Sequence, residues 1–195
     1  HRKHALIRFE EILSTVHFNN NALIPEDGTT YNKCYKLQPL IDHLRSRFKE
    51  VVIPETHQSV DEQIIPFKGK HSLKRYLPKK PHKWGYKLWT RSGISGYVYD
   101  FQVDEARDAK GPPDGCHPPP KCGESEFVVL RMVHKLEPNR HKLFFDNYFA
   151  SPDLMVYLKK EFQIYAISTL NKNRSRKCPI PSDKEMKKKG RGTSV

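Results

Sequence analysis

The chain has 195 residues, with 35 Lys and Arg against 22 Asp and Glu and a formal net charge of +13. No run approaches the ~18 uninterrupted apolar residues that a membrane span needs, and an aromatic content of 11% is too high for a wholly disordered chain. Such a balance predicts a folded domain with a polyanionic partner, nucleic acid before an acidic membrane surface, against the plainer reading of a basic, solvated surface.

Leu6, Phe9, Leu13 and Val16 recur at spacings of three and four, which predicts a helix over residues 5–16. Asn19-Asn20-Asn21 and Pro25-Glu26-Asp27-Gly28 read as loop. A second helix fits residues 33–49, with Leu37, Leu40, Ile41, Leu44 and Phe48 on one side and Pro39 in its first turn; Pro54 closes it. Val60, Ile64, Ile65 and Phe67 predict a first strand. After a basic loop, Trp84, Tyr86, Leu88 and Trp89 predict a second, and Tyr97–Val103 a third beyond the turn Ser92–Gly96. Strands this close in sequence pair as an antiparallel meander.

Residues 108–123 hold five prolines and three glycines and read as loop. Phe127, Leu130, Val133 and Leu136 predict a helix over about 125–136, and His141–Phe145 a short strand ending at Asp146. Ser151-Pro152-Asp153 is a helix start, with Ser as N-cap, Pro in the first position and an acid in the first turn; Leu154, Leu158 and Phe162 continue the helix. Ile164–Ser168 predicts a last strand, and from Asn171 the chain is polar and basic. The expected fold class is α/β: a mixed five-stranded sheet with flanking helices, preceded by a small helical segment. Its last strands are parallel and joined by a crossover helix. A ribonuclease-H-like domain has this order of elements.

Asp61 lies inside the first predicted strand and Asp146 ends the fourth. If those strands are neighbours, the two carboxylates can share a divalent metal, Mg²⁺ or Mn²⁺, which takes oxygen ligands and keeps several waters. Paired ions of this kind activate water and stabilise the leaving oxygen at a phosphodiester. The plainer reading makes each Asp a strand-end or turn residue, which Asp146-Asn147 would suit.

Between residues 68 and 91 there is no acid. Lys68, Lys70, Lys74, Arg75, Lys79, Lys80 and Lys83 are candidates for phosphate contacts, and the interleaved Tyr76, Trp84, Tyr86 and Trp89 for stacking on unpaired bases. Against that, alternate aromatics of a strand are commonly core, and Trp84 and Tyr86 are assigned there. Lys187-Lys188-Lys189-Gly190-Arg191 reads as a nuclear-localisation patch, a phosphate-binding arm or a solvated tail. Cys34, Cys116, Cys122 and Cys178 are too sparse for a disulfide scaffold, and no secretory signal is evident, so a reducing intracellular compartment is expected. Cys116-His117 and Cys122 do not match the spacing of a structural zinc site and read as part of a proline-rich loop. With no initiator Met, the chain reads as an excerpt.

Ser59-Val60-Asp61-Glu62-Gln63 followed by Phe67-Lys68-Gly69-Lys70 resembles the first catalytic-Asp block of piggyBac transposases and their domesticated relatives. Tyr76–Trp89 resembles that family's next block, and Phe145-Asp146-Asn147-Tyr148-Phe149-Ala150-Ser151 its second catalytic-Asp block. The resemblance implies a ribonuclease-H-like core with three metal-binding aspartates, of which Asp61 and Asp146 are the first two. It also implies cleavage of DNA at transposon ends with joining at TTAA targets, DNA as partner, a possible homodimer of the full-length protein, no membrane, and the nucleus as location. The family's third Asp falls further downstream, beyond an insertion domain; Asp183 and Glu185 do not match its motif, so the chain by itself is expected to be inactive. The implied division is residues 1–56, a helical segment of DNA-binding or dimerisation type; 57–170, the incomplete core; and 171–195, a basic, poorly structured tail. The alternative is a domesticated DNA-binding protein that keeps the fold and two aspartates without catalysis. A basic interaction module with no role on DNA is the second alternative.

Overall fold

A computed structural model describes residues 2–24, 32–105, 111–175, 181 and 183–192. The expected loop at 25–28 and Cys178 lie outside the described residues. Six strands form one mixed sheet: β1 (His57–Pro66), β2 (Lys74–Tyr76), β3 (Trp84–Gly93), β4 (Val98–Val103), β5 (Lys142–Phe145) and β6 (Tyr165–Ser168). The order is β2-β3-β1-β5-β6, with β4 also paired to β3. β1, β3 and β4 make the expected antiparallel meander, while β5 runs parallel to β1 and β6 parallel to β5.

The sheet has six strands where five were expected. The addition is β2, which pairs Lys74–Tyr76 against Trp84–Tyr86 within the segment read as a basic loop. Three residues are too few to show an alternation, so only the partner strand reveals it. β3 also runs on through Ser92 and Gly93, leaving Ile94-Ser95 as the turn. Gly85 of β3 pairs with Pro66 of β1, and a Cβ there would meet the Ile65 carbonyl oxygen at 2.2 Å, so only glycine fits.

Helices α3 (Glu124–Val133) and α4 (Pro152–Glu161) cover one face of the sheet. Ser151 caps α4 as expected, its Oγ accepting from the Leu154 N–H at 3.1 Å. Val129, Leu130 and Val133 of α3, Leu154 and Leu158 of α4, and Val60, Trp89, Leu143 and Ile164 form the core. Each such side chain contributes roughly 1.5–3 kcal/mol by leaving water. Successive residues of β3 face opposite ways: Trp89 enters this core, while Leu88 lines a groove that also includes Ile41.

That groove lies beside α2 (Gln38–Val51), which packs on β4 through Phe48 against Phe101 and Tyr97. The first helix, α1 (Arg2–Thr15), forms where its spacing predicts, but its apolar stripe stays open: Leu6, Phe9 and Leu13 are each more than half exposed. The chain's last part carries a 3-10 turn at Lys172–Arg174 and a short helix, α5 (Asp183–Lys189).

Candidate metal centre and nucleic-acid interface

β1 starts as a buried strand, with Gln58 and Val60 inside, and emerges at Asp61, which is exposed. Its parallel partner β5 likewise has Leu143 and Phe145 buried and Asp146 exposed just past its end. The last paired rung joins Val60 to Phe145. Asp61 and Asp146 are therefore the next residue on each of two neighbouring strands, although 85 positions separate them in sequence. Each carboxylate turns Oδ1 to a local backbone N–H, Asp61 to Glu62 at 2.7 Å and Asp146 to Asn147. Asp146 also begins a turn in which its carbonyl accepts from the Phe149 N–H at 3.1 Å, so the turn role and the strand-end role coexist.

A further carboxylate, unassigned from the sequence, follows Asp61 on β1. Glu62 receives Lys80 Nζ at 3.0 Å and Lys87 Nζ at 3.8 Å. The hydrogen bond to Glu62 holds the Lys80 ammonium above its usual pKa, and the charges of Asp61 and Asp146 push it the same way. One lysine thus feels the charge of all three acids. Lys87 is pushed down by burial, with Glu62 pulling back; its Nζ sits 3.7 Å from the centre of the Trp89 ring. Adjacency to Asp61 was the only sign of Glu62 in the sequence.

Two exposed carboxylates from adjacent strands suit a hard cation that takes oxygen ligands and retains water. Among the described residues, no group of three or more His, Cys, Asp or Glu side chains converges as a closed metal site would require. That includes Cys116, which is half-buried, and Cys122, which is buried.

The basic segment divides into two sets. Lys68, Lys70, Lys79 and Lys83 are exposed. The other three are engaged with the protein: Lys74 Nζ donates to the Lys68 and Gly69 carbonyls at 3.1 and 2.8 Å, Arg75 Nε lies 3.7 Å from Asp104, and Lys80 holds Glu62. The core assignment of Trp84 is overturned. Trp84 is 51% exposed and Tyr76 50%, and the two rings meet at 4.7 Å across the β2–β3 rung with Lys74 Nζ 4.9 Å from the Trp84 ring. Tyr86 is half-buried, stacked on Phe67, and the strand's core aromatic is Trp89.

Residues 3–194 match the family model described as Transposase IS4, which is of piggyBac type. The chain belongs to this family of transposases. Similar curated proteins include the human PiggyBac transposable element-derived protein 3, 34% identical over 95% of this chain and 30% of that protein. The human PiggyBac transposable element-derived protein 2 is 30% identical over 95% of this chain and 30% of its own length. The chain thus spans under a third of these relatives. Among solved structures, a piggyBac transposase in a synaptic complex with hairpin DNA matches with a TM-score of 0.74 at 20% identity, over 96% of this chain and 37% of that one. That likeness shows the fold, the ribonuclease-H-like α/β arrangement expected from the order of elements.

Proposed function

We propose that this chain is part of the catalytic region of a piggyBac-like transposase, with Asp61 and Asp146 holding Mg²⁺ or Mn²⁺ for DNA strand cleavage and transfer at TTAA sites by the full-length protein. The observation that carries this reading is the parallel β1–β5 register, which brings the two acids to adjacent strand positions. A bound divalent ion would supply polarisation of the scissile phosphate and a more acidic water. The protein's own residues place the carboxylates, keep Lys80 beside them, and offer Lys68, Lys70, Lys79 and Lys83 to a phosphate backbone. DNA as partner and the nucleus as location belong to this reading. So does a homodimer of the full-length protein.

The second reading, a domesticated DNA-binding protein without catalysis, is favoured by one feature. Lys80 already pairs with Glu62 and is held charged by Asp61 and Asp146 as well, without a metal. The test is Mn²⁺-dependent nicking of TTAA-containing duplex by a longer protein that includes this chain. Cleavage lost in Asp61→Asn and Asp146→Asn supports the enzyme. Salt-dependent DNA binding with no cleavage supports the domesticated form, and no DNA binding defeats both.

A further inference from the structure

Beside Pro54 and His141, which precede β1 and β5, lies a pocket of about 240 Å³. Its lining includes Lys49, Arg91, Asp100, Lys135, Arg140 and His141. Arg91 is only 4% exposed. One of its Nη atoms donates to Gln58 Oε1, but its Nε is buried with no hydrogen-bond partner. Buried polar groups are almost always satisfied, and a buried guanidinium keeps its charge. Arg91 is therefore a donor waiting for an acceptor.

The pocket's acids do not meet that need. Asp100, the strand partner of Arg91 on β4, gives Oδ1 to Arg45 at 2.8 Å and Oδ2 to Lys49 at 2.9 Å. Glu137 is taken by Arg140. Burial lowers the pKa of His134 and His141, which favours their uncharged forms. Lys49, Arg91, Arg131, Lys135 and Arg140 leave an excess of cations over the two carboxylates. Arg131 is spent on Glu124, Gln102 and the Gly111 carbonyl.

We propose that this pocket binds a phosphate group, free or as the monoester of a small molecule, with Arg91 as the buried donor and Lys135 and Arg140 at its mouth. A tetrahedral oxyanion accepts from a guanidinium edge and from an ammonium together, and Arg is the side chain best shaped for it. A volume of about 240 Å³ suits phosphate with a small substituent rather than a duplex backbone. The inference goes beyond the DNA reading and does not depend on the Asp61–Asp146 pair.

The experiment titrates inorganic phosphate, and separately glycerol 3-phosphate, into the protein at constant ionic strength and follows amide shifts. The expected result is saturable binding with shifts gathered at Arg91, Met132–Lys135 and His141. Arg91→Lys, which keeps the charge but loses Nε, weakens binding by about tenfold. Tighter binding of the ester identifies a small-molecule ligand, and equal or weaker binding identifies free phosphate. Should Arg91→Lys fail to fold, the double variant Lys135→Ala/Arg140→Ala decides, since both residues lie at the mouth and the double variant still loses affinity. Non-saturable shifts spread over Lys68–Lys83, or binding unchanged in the double variant, overturn the proposal and leave the pocket to water.

Discussion

The Lys80 ammonium lies 3.0 Å from the Glu62 carboxylate while Asp61 and Asp146 add their charge to the same spot. Removing this cation separates its effect on metal binding from any contact with DNA.

Lys80→Ala is expected to tighten Mn²⁺ binding by about fivefold, the size of one screened unit charge at close range. Because Lys80 and Glu62 are both partly exposed, stability changes by less than about 1 kcal/mol. A Mn²⁺ titration by electron paramagnetic resonance, with chemical denaturation alongside, reads both. Weaker Mn²⁺ binding in the variant would count against competition.

Duplex binding is expected to fall steeply with salt. Changing Lys68, Lys70, Lys79 and Lys83 together to Ala flattens the log–log slope by up to about 3–4, at roughly 0.9 per phosphate contact. Arg75→Ala does much less, since Arg75 is turned to Asp104. An unchanged slope in the quadruple variant rules out the segment as a backbone contact.

The open Tyr76–Trp84 pair gives a contrast between DNA forms. Trp84→Ala is expected to weaken single-stranded binding by about 1–3 kcal/mol, the range for one stacked base, with duplex binding nearly unchanged. Equal loss on both forms, measured by fluorescence anisotropy, would argue that the ring only holds the β2–β3 edge.

Acid sensitivity centres on Asp100. Burial would raise its pKa, but hydrogen bonds and charge from Arg45 and Lys49 more than offset this and hold it low. A carboxylate lowered in the fold contributes stability above its unfolded pKa, about 3.9, and loses it as pH falls through the folded value. His134 and His141, lowered by burial, contribute above about 6.5 and lose that contribution as pH falls from there toward their folded values. Denaturation midpoints should therefore decline first below pH ~6.5 and again below pH ~4. Asp100→Asn shrinks the second step and costs about 3 kcal/mol at pH 7, the lower end for a broken buried pair because Arg45 and Lys49 keep some solvent. An undiminished second step would show that other carboxylates govern it.

Much of the fold was legible where local chemistry and periodicity agree. Ser151-Pro152-Asp153 starts α4, and the parallel run of β5 and β6 followed from the helix that joins them. What escaped depends on partners distant in the chain. β2 exists only through β3, and Glu62 is marked out by its ion pair with Lys80. Trp84 and Trp89 look alike as β-formers, yet their odd spacing puts them on opposite faces, and only the position of α3 and α4 decides which is buried. The pairing of Asp100 with Arg45 and Lys49 likewise joins segments with no shared motif.

The most direct test of the acid pair is Mn²⁺ binding to the wild-type chain, Asp61→Asn and Asp146→Asn, read by paramagnetic broadening of amide signals. Both positions are exposed, so each variant should stay folded within about 0.5 kcal/mol. The account predicts weak binding in the wild type, with broadening centred on residues 60–62 and 145–148, and its loss in each variant. Broadening that persists in both variants, or that centres elsewhere, would contradict the shared site.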